Sequence, residues 1–157
     1  MKTAVYVGSF DPFTNGHLEI VTKASEIFDK VVIGMGINPN KKRAYDSLKM
    51  KQAIETTLKE NNLNNVEVEI YDTLSVDLAK KHNAKYFVRG LRNAEDYAYE
   101  ENLAKLNITY AGIDTIYLRP TKHELISSSI VKVWLQFGKD VSECVPSAVL
   151  ELICPKQ

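Results

Sequence analysis

Short apolar segments typical of β-strands alternate with amphipathic helical segments along the chain, and this alternation constrains the fold more than any other feature. The strand-like segments cover residues 3–7, 31–37, 66–71, 86–88 and 115–118. The helical segments cover residues 16–28, 47–61, 76–82, 93–110 and 127–137, and 145–154 follows as a terminal helix. Parallel strands need crossover connections of this kind. The pattern therefore predicts an α/β fold, a Rossmann-like doubly wound sheet of five parallel strands with flanking helices and a C-terminal helix.

Helical spacing also predicts which side chains form the core. We expect the second helix to bury Leu48, Ile54 and Leu58, and the fifth to bury Ile130, Val131, Trp134 and Leu135. The chain has 157 residues and contains neither a low-complexity linker nor a repeat of fixed period, so residues 1–157 are expected to form a single domain.

Charge and cysteine content exclude several classes of function. Twenty Lys and Arg balance twenty Asp and Glu, so we expect no binding to nucleic acid or to an anionic membrane through overall charge. No apolar run reaches the roughly 18 residues of a membrane span, and the first residues lack the order of a signal peptide. Cys144 and Cys154 fit neither a disulfide framework nor a four-ligand zinc site. We expect a cytoplasmic protein.

Polar residues collect where each predicted strand ends. In open α/β sheets, ligands bind outside the carboxyl ends of the strands, so these loops define the candidate site. The loops contain glycine, hydroxyl and basic side chains: residues 8–12 and 14–17, then 38–43, 72–75, 89–92, 119–122 and 127–129. A helix N-terminus flanked by Arg and Lys suits a polyphosphate. The sequence therefore predicts a nucleotide site at this edge of the sheet.

His17 is the leading catalytic candidate in these loops. A His in the first turn of a helix stays neutral more readily, and its N–H can still donate to a phosphoryl oxygen as charge builds there. The P-loop and GxGxxG motifs are absent, as are a GxSxG elbow, a HExxH helix and a CxxC pair. Phosphoryl transfer needs no protein nucleophile, so the lack of an obvious one is consistent with that chemistry.

Each candidate also has a structural interpretation. His17 could make only a structural hydrogen bond, the basic residues 41–43 could be a solvated turn, and Arg89 could pair with Glu95 or Asp96. Residues 127–129 could cap a helix, and Asp11 could brace its loop instead of binding a metal.

Two motifs resemble those of a known superfamily. Gly8-Ser9-Phe10-Asp11-Pro12 followed by Thr14-Asn15-Gly16-His17 resembles the signature of nucleotidyltransferases with a (T/H)xGH motif, and Ile126-Ser127-Ser128-Ser129 is similar to their second motif. Together with residues 38–42, Arg89-Gly90-Leu91-Arg92 and Tyr99-Glu100, they make nearly the whole chain resemble the bacterial phosphopantetheine adenylyltransferase family.

The resemblance implies a single nucleotidyltransferase domain that transfers AMP from ATP to 4′-phosphopantetheine, giving dephospho-coenzyme A and pyrophosphate. It also implies a requirement for Mg²⁺, which we expect to bind mainly through the ATP phosphates, and no protein metal ligand is identified. Because phosphoryl transfer needs no protein nucleophile, we expect direct in-line attack without a covalent enzyme intermediate. The resemblance also implies a cytoplasmic homohexamer. Coenzyme A is a candidate feedback ligand, which the sequence itself does not reveal.

Residue roles follow from the same resemblance. The catalytic residues would be His17, Lys41 and Arg89, and those binding phosphopantetheine would be Ser9, Lys41, Ser75 and Arg89. The residues binding ATP would be Ser9, Phe10, His17, Gly90, Leu91, Arg92, Glu100, His123, Glu124, Leu125, Ile126, Ser127, Ser128 and Ser129. Ser9 stands where Thr is frequent, and its hydroxyl retains the donor and acceptor that the role requires.

Two other functions remain open from the residues alone. One is a related cytidylyl- or adenylyltransferase that acts on another phosphorylated acceptor, because basic side chains do not identify the tail of the acceptor. The other is a non-catalytic nucleotide-binding module, since fold by itself does not fix function.

Overall fold

Strands and helices alternate in the computed structural model, which describes residues 1–155. The strands are β1 (Thr3–Gly8), β2 (Lys30–Gly36), β3 (Val66–Tyr71), β4 (Tyr86–Gly90) and β5 (Asp114–Leu118). The helices are α1 (Asn15–Ile27), α2 (Ser47–Glu60), α3 (Ser75–Lys81), α4 (Ala94–Ala111), α5 (Ser128–Gln136) and α6 (Ser147–Ile153). The predicted order of elements is confirmed, with boundaries that differ by a few residues.

All neighbouring strands of the sheet are parallel, in the order β3-β2-β1-β4-β5. The chain moves outward from β1 through β2 to β3, then returns to the other side of β1 to form β4 and β5. The register of β1 and β4 pairs Tyr6 with Val88, so both strands end at the same edge. Strand order reverses between them, and such a switch point leaves a crevice where ligands bind. The predicted doubly wound α/β fold is confirmed.

Helices cover both faces of the sheet. On one face, side chains of α1, α2, α5 and α6 pack on the larger core cluster, which includes Val21, Ile54, Val131 and Val149. On the other face, Leu78 and Ala79 of α3 pack on a smaller cluster. Buried apolar strands covered in this way are typical of parallel sheets. Within residues 1–155, no helix is long and apolar enough to cross a membrane.

The prediction that Leu48 is buried is wrong, because its side chain is 64% exposed. A helix turns about 100° per residue, which places Leu48 roughly 120° from Ile54 around the axis of α2. Ile54 and Leu58 are buried as predicted, and Met50 completes that face.

The prediction for α5 is correct for only part of the helix. Val131 is buried and Leu135 packs against the core, whereas Trp134 is 46% exposed and Ile130 is also exposed. The helix is apolar on two faces, and only one of them can contact the sheet. The other presents the α5 stripe, which consists of Ile130, Val133, Trp134 and Phe137.

Candidate active site

A cavity of about 350 Å³ lies beyond the carboxyl ends of β1 and β4, at the switch point of the sheet and at the edge where the sequence predicts a nucleotide site. It is lined by Tyr6, Val7, Gly8, Ser9, Phe10, Gly16, His17, Ile20, Arg89, Gly90, Arg92, Asp96, Glu100, Pro120, His123, Ile126, Ser127, Ser128 and Ser129. Most residues that the sequence predicts to bind ATP therefore lie around one space.

The loop between β1 and α1 is held by the loop that follows β2. The carboxylate of Asp11 accepts hydrogen bonds from the backbone N–H groups of Ala44 (2.7 Å) and Tyr45 (3.0 Å). Arg43 donates to the backbone carbonyl of Ser9 at 2.6 Å and lies 3.7 Å from the Asp11 carboxylate. Asp11 thus braces its loop, as its structural interpretation predicted. These contacts fix the backbone of the first signature motif.

His17 combines a structural contact with a free donor. Its Nδ1 accepts the backbone N–H of Thr14 at 2.9 Å, while the Thr14 hydroxyl accepts the backbone N–H of His17. This reciprocal capping box begins α1. Because Nδ1 is an acceptor, the neutral imidazole carries its proton on Nε2. Desolvation, aided by the positive charges of Arg89 and Arg92, lowers the pKa of His17 to about 3. The site therefore contains a neutral imidazole that donates from Nε2.

Aromatic side chains pack around the imidazole of His17. The ring centroids of Phe10 and Phe13 lie 5.0 Å and 5.5 Å from it, and that of Tyr6 lies at 6.4 Å. These contacts leave the ring little freedom to rotate. They also contribute to the desolvation that keeps the ring neutral.

Arg89 and Glu100 form an ion pair at the base of the cavity. Nε and Nη2 of Arg89 donate to the two carboxylate oxygens at 2.8 and 2.7 Å, and Nη1 donates to the carbonyl of Val7 at 2.5 Å. The suggested pairing with Glu95 or Asp96 is wrong, because helical periodicity turns Glu100 inward, where it is 7% exposed. Asp96 instead pairs with Arg92 at 3.1 Å.

Residues 119–127 form the loop between β5 and α5, which we call the β5–α5 loop, and it closes one side of the cavity. Ser127 caps α5 by accepting the N–H of Ile130, and Ser128 donates to the carbonyl of Pro12 at 2.7 Å. The capping interpretation of these serines is thus confirmed, and all of Ser127–Ser129 also line the cavity. A capped helix start that faces a cavity offers free N–H groups to an anion.

A second cavity of about 110 Å³ adjoins the first under α4. Both cavities are lined by Val7, Arg89 and Glu100, and only the smaller one is lined by Ser75 and Leu103. The Arg89–Glu100 pair therefore lies where two adjoining cavities meet, and such an arrangement can hold two ligands side by side for a reaction.

Four predicted site residues line neither cavity, and Ser75 lines only the smaller one. Lys41 is exposed in the loop between β2 and α2 and lines neither cavity, and Leu91, Glu124 and Leu125 flank the lining residues without joining them. Conversely, the sequence interpretation missed Tyr6, Ile20 and Asp96, which line the large cavity. Alternation along the first strand indicates that Tyr6 points inward, and helical spacing indicates the same for Ile20. The four-residue spacing of Arg92 and Asp96 indicates an ion pair.

Comparisons with known proteins identify relatives over most of the chain. The cytidylyltransferase-like family model matches residues 5–133. A phosphopantetheine adenylyltransferase of Phocaeicola vulgatus is 44% identical over 151 residues, which cover 95% of this chain and 98% of that protein. Phosphopantetheine adenylyltransferases of Leuconostoc mesenteroides and Campylobacter jejuni are 42% and 40% identical, and the matches cover 98% and 96% of this chain and 94% and 96% of theirs.

The fold has a solved counterpart. The structure of a protein assigned as a nicotinate-nucleotide adenylyltransferase from Vibrio parahaemolyticus aligns with a TM-score of 0.70 and 21% sequence identity. The alignment covers 98% of this chain and 92% of that one. At this identity the likeness extends to the fold alone.

Proposed function

Because this chain belongs to the phosphopantetheine adenylyltransferase family of cytidylyltransferase-like proteins, we propose that it transfers the adenylyl group of ATP to 4′-phosphopantetheine. An oxygen of the acceptor's phosphate attacks the α-phosphorus, the bond from that phosphorus to the bridging oxygen breaks, and pyrophosphate leaves. Dephospho-coenzyme A is the other product, as coenzyme A biosynthesis requires. No covalent enzyme intermediate is needed, since the chemistry rests on positioning and charge stabilisation.

The two adjoining cavities, which are both lined by Arg89, are the observation that carries this proposal. The larger space has the serines, glycine and Arg92 that suit ATP, and the smaller has apolar side chains and Ser75, which suit the pantetheine arm. In this arrangement the phosphates of both substrates meet near Arg89 and His17. Ser9 and Phe10 lie beside that point and are proposed to contact ATP, Ser9 also touching the acceptor.

His17 is proposed to stabilise the transition state at the α-phosphorus. Its Nε2–H donates to a phosphoryl oxygen as negative charge builds there, while Nδ1 stays fixed by Thr14. Since the pKa of His17 is lowered to about 3, the ring remains a neutral donor at physiological pH. The group needs no change of protonation during turnover.

Arg89 is proposed to hold the acceptor phosphate, oriented by Glu100. A guanidinium has five N–H donors, and Val7 and Glu100 occupy one donor on each of its three nitrogens. One N–H on each terminal nitrogen remains for the phosphate. Lys41 is proposed to approach the same phosphate from the loop after β2, which the Asp11–Arg43 contacts hold near Ser9. Gly90 to Arg92 and the segment from His123 to Ser129 are proposed to bind ATP.

Mg²⁺ is proposed to enter as a complex with ATP. Among residues 1–155, no group of three His, Cys, Asp or Glu side chains could hold a metal ion. The carboxylates at the cavity, Asp96 and Glu100, are paired with Arg92 and Arg89. Mg²⁺ commonly keeps its waters and binds through substrate phosphates, and in that form it would neutralise phosphate charge. The protein side chains fit such a complex and need supply no ligand.

Three further properties are proposed with this function. Residues 1–157 act as one nucleotidyltransferase domain in the cytoplasm. Six copies of the chain assemble. This proposal is supported by the exposed apolar side chains on α4 and on the α5 stripe, because apolar patches of this kind favour association. Coenzyme A acts as a feedback ligand, because it shares both the pantetheine arm and the adenine of the product.

The test is product identification by mass spectrometry with pyrophosphate release. The pure protein is incubated with Mg²⁺, ATP and 4′-phosphopantetheine, and in parallel with CTP plus glycerol phosphate and with ATP plus nicotinamide mononucleotide. Dephospho-coenzyme A formed only in the first reaction supports the proposal. Product in another reaction would assign a different acceptor, and binding of ATP without product in any reaction would identify a non-catalytic module.

A further inference from the structure

Glu19 connects α1 to the β5–α5 loop through an unusual concentration of hydrogen bonds. Its carboxylate accepts from the backbone N–H groups of Thr121, Lys122 and His123. It also accepts from the Thr121 hydroxyl at 2.7 Å, and His123 Nδ1 lies 3.3 Å away. Partial burial would raise the pKa of Glu19, but these donors outweigh it and lower the pKa to about 2. The carboxylate is therefore ionised throughout the physiological range.

The β5–α5 loop lies against one face of α1. Glu19 and Gly16 are one turn apart on that face, which is the spacing of neighbouring positions on a helix. A Cβ atom on Gly16 would lie 3.2 Å from the carbonyl oxygen of Ile126 and 3.3 Å from that of His123. The loop is thus packed closely at Gly16 and tied at Glu19. His17, which lies between them in the sequence, belongs to the same turn.

Few other contacts fix this part of the chain. Within the loop, the backbone N–H of Ile126 donates to the carbonyl of His123 at 3.2 Å. Lys23, one turn beyond Glu19 on α1, donates to the carbonyl of Arg119. Thr121 and Lys122 are exposed, so burial of their side chains adds little to hold them. The Glu19 carboxylate is therefore the main contact for residues 121–123.

We propose that Glu19 is a positioning residue that holds the β5–α5 loop in the conformation that binds ATP. This inference rests on the proposed function, in which His123 to Ser129 contact the nucleotide. If the competent loop conformation is only partly populated, apparent ATP affinity falls by the same fraction. The acceptor arm is proposed to bind in the smaller cavity, whose lining includes Ser75 and none of residues 119–127, so its binding should not depend on this loop.

The sharpest perturbation is Glu19→Gln. The amide keeps the size of the side chain but replaces one acceptor oxygen with an NH₂ group, which faces the donors of residues 121–123. We expect KM for ATP to rise about tenfold, with kcat at saturating ATP and KM for phosphopantetheine each within about twofold of wild type. Glu26→Gln, an exposed position on the same helix, is the matched control and should change none of these values.

Two measurements separate this inference from other outcomes. The dissociation constant of ATP with Mg²⁺, measured by calorimetry without acceptor, should weaken as KM does, and it tests the loop even if wild type makes no dephospho-coenzyme A. Thr121→Val, which removes only the hydroxyl donor, should raise the same constant less than Glu19→Gln does. If Glu19→Gln lowers the melting temperature but leaves ATP binding unchanged, Glu19 is merely structural. Equal losses for both substrates would also overturn the proposal.

Discussion

Replacing His17 with Asn tests the proposed catalytic role with little disturbance to the fold. The Asn carbonyl can take the position of Nδ1 and accept the N–H of Thr14, so the capping box of α1 survives. The amide is too short to reach the position of Nε2. His17→Asn therefore removes the donor to the α-phosphoryl oxygen and keeps the structural contact. His17→Gln is the complementary variant, because its amide reaches the Nε2 position.

The expected magnitude follows from the environment of the ring. One donor to a developing oxyanion in a desolvated site contributes about 3–4 kcal/mol, so kcat of His17→Asn should fall by about 10²- to 10³-fold. The dissociation constant of ATP should change by less than about threefold, since this interaction forms mainly in the transition state. His17→Gln should retain more activity than His17→Asn.

The pH dependence distinguishes a neutral donor from an imidazolium. Steady-state kcat is measured for both proteins from pH 5.5 to 8.5, and the wild-type value is divided by that of His17→Asn. The division removes the ionisation of the substrate phosphates, which both proteins share. With the pKa of His17 lowered to about 3, the ratio should be constant across this range. An imidazolium of ordinary pKa would make it fall about tenfold per unit above pH 6.5.

Two results would refute the reasoning. Turnover of His17→Asn within about threefold of wild type would show that Nε2 contributes little to the transition state. A ratio that declines as pH rises would show that the protonated ring is the active form. A melting temperature close to that of wild type is the control for folding.

Three further outcomes are expected. Lys41→Ala should raise KM for phosphopantetheine and lower kcat, because the same charge binds the incoming phosphate. An unchanged KM for the acceptor would show that Lys41 is only part of a solvated turn. His17 becomes protonated below about pH 6.5 in the unfolded state but only near pH 3 in the native state. The free energy of unfolding should therefore decrease as the pH is lowered through this interval. Between pH 6 and 5, denaturant titrations should give His17→Asn a slope about 1 kcal/mol per pH unit shallower than wild type, whereas equal slopes would contradict the lowered pKa. Trp134→Glu, in the α5 stripe, should reduce the assembled mass measured by light scattering, and Lys132→Glu on the same helix should not; a hexameric Trp134→Glu protein would exclude this stripe from the interface.

The order of strands and helices could be predicted from sequence because each element carries its own periodicity. Buried strands such as β2 are continuously apolar, and α1 follows a motif that ends in a capping box. The parallel sheet then follows, since strands joined by helices cannot form hairpins. Solvent exposure was less predictable, because an apolar side chain such as Trp134 carries no signal about which helix face meets the sheet.

The site residues show the same division. The motifs near His17 and the serines at the start of α5 could be identified locally, and the loops at the sheet edge followed from the topology rule. The partner of Arg89 could not be chosen among nearby carboxylates, because the choice depends on how α4 lies over β4. Glu19 had no signal as a loop contact, since its partners are about a hundred residues away in the chain.

The sequence alone determined the alternating α/β architecture, the family resemblance and the loops where a nucleotide would bind, because periodicity and short motifs are local properties. Only the tertiary structure decided that Arg89 and Glu100 line two adjoining cavities, that His17 presents Nε2 as a neutral donor, and that the Glu19 carboxylate accepts hydrogen bonds from the β5–α5 loop. These features depend on distances, desolvation and hydrogen-bond direction between distant segments, which exist only once the chain has folded.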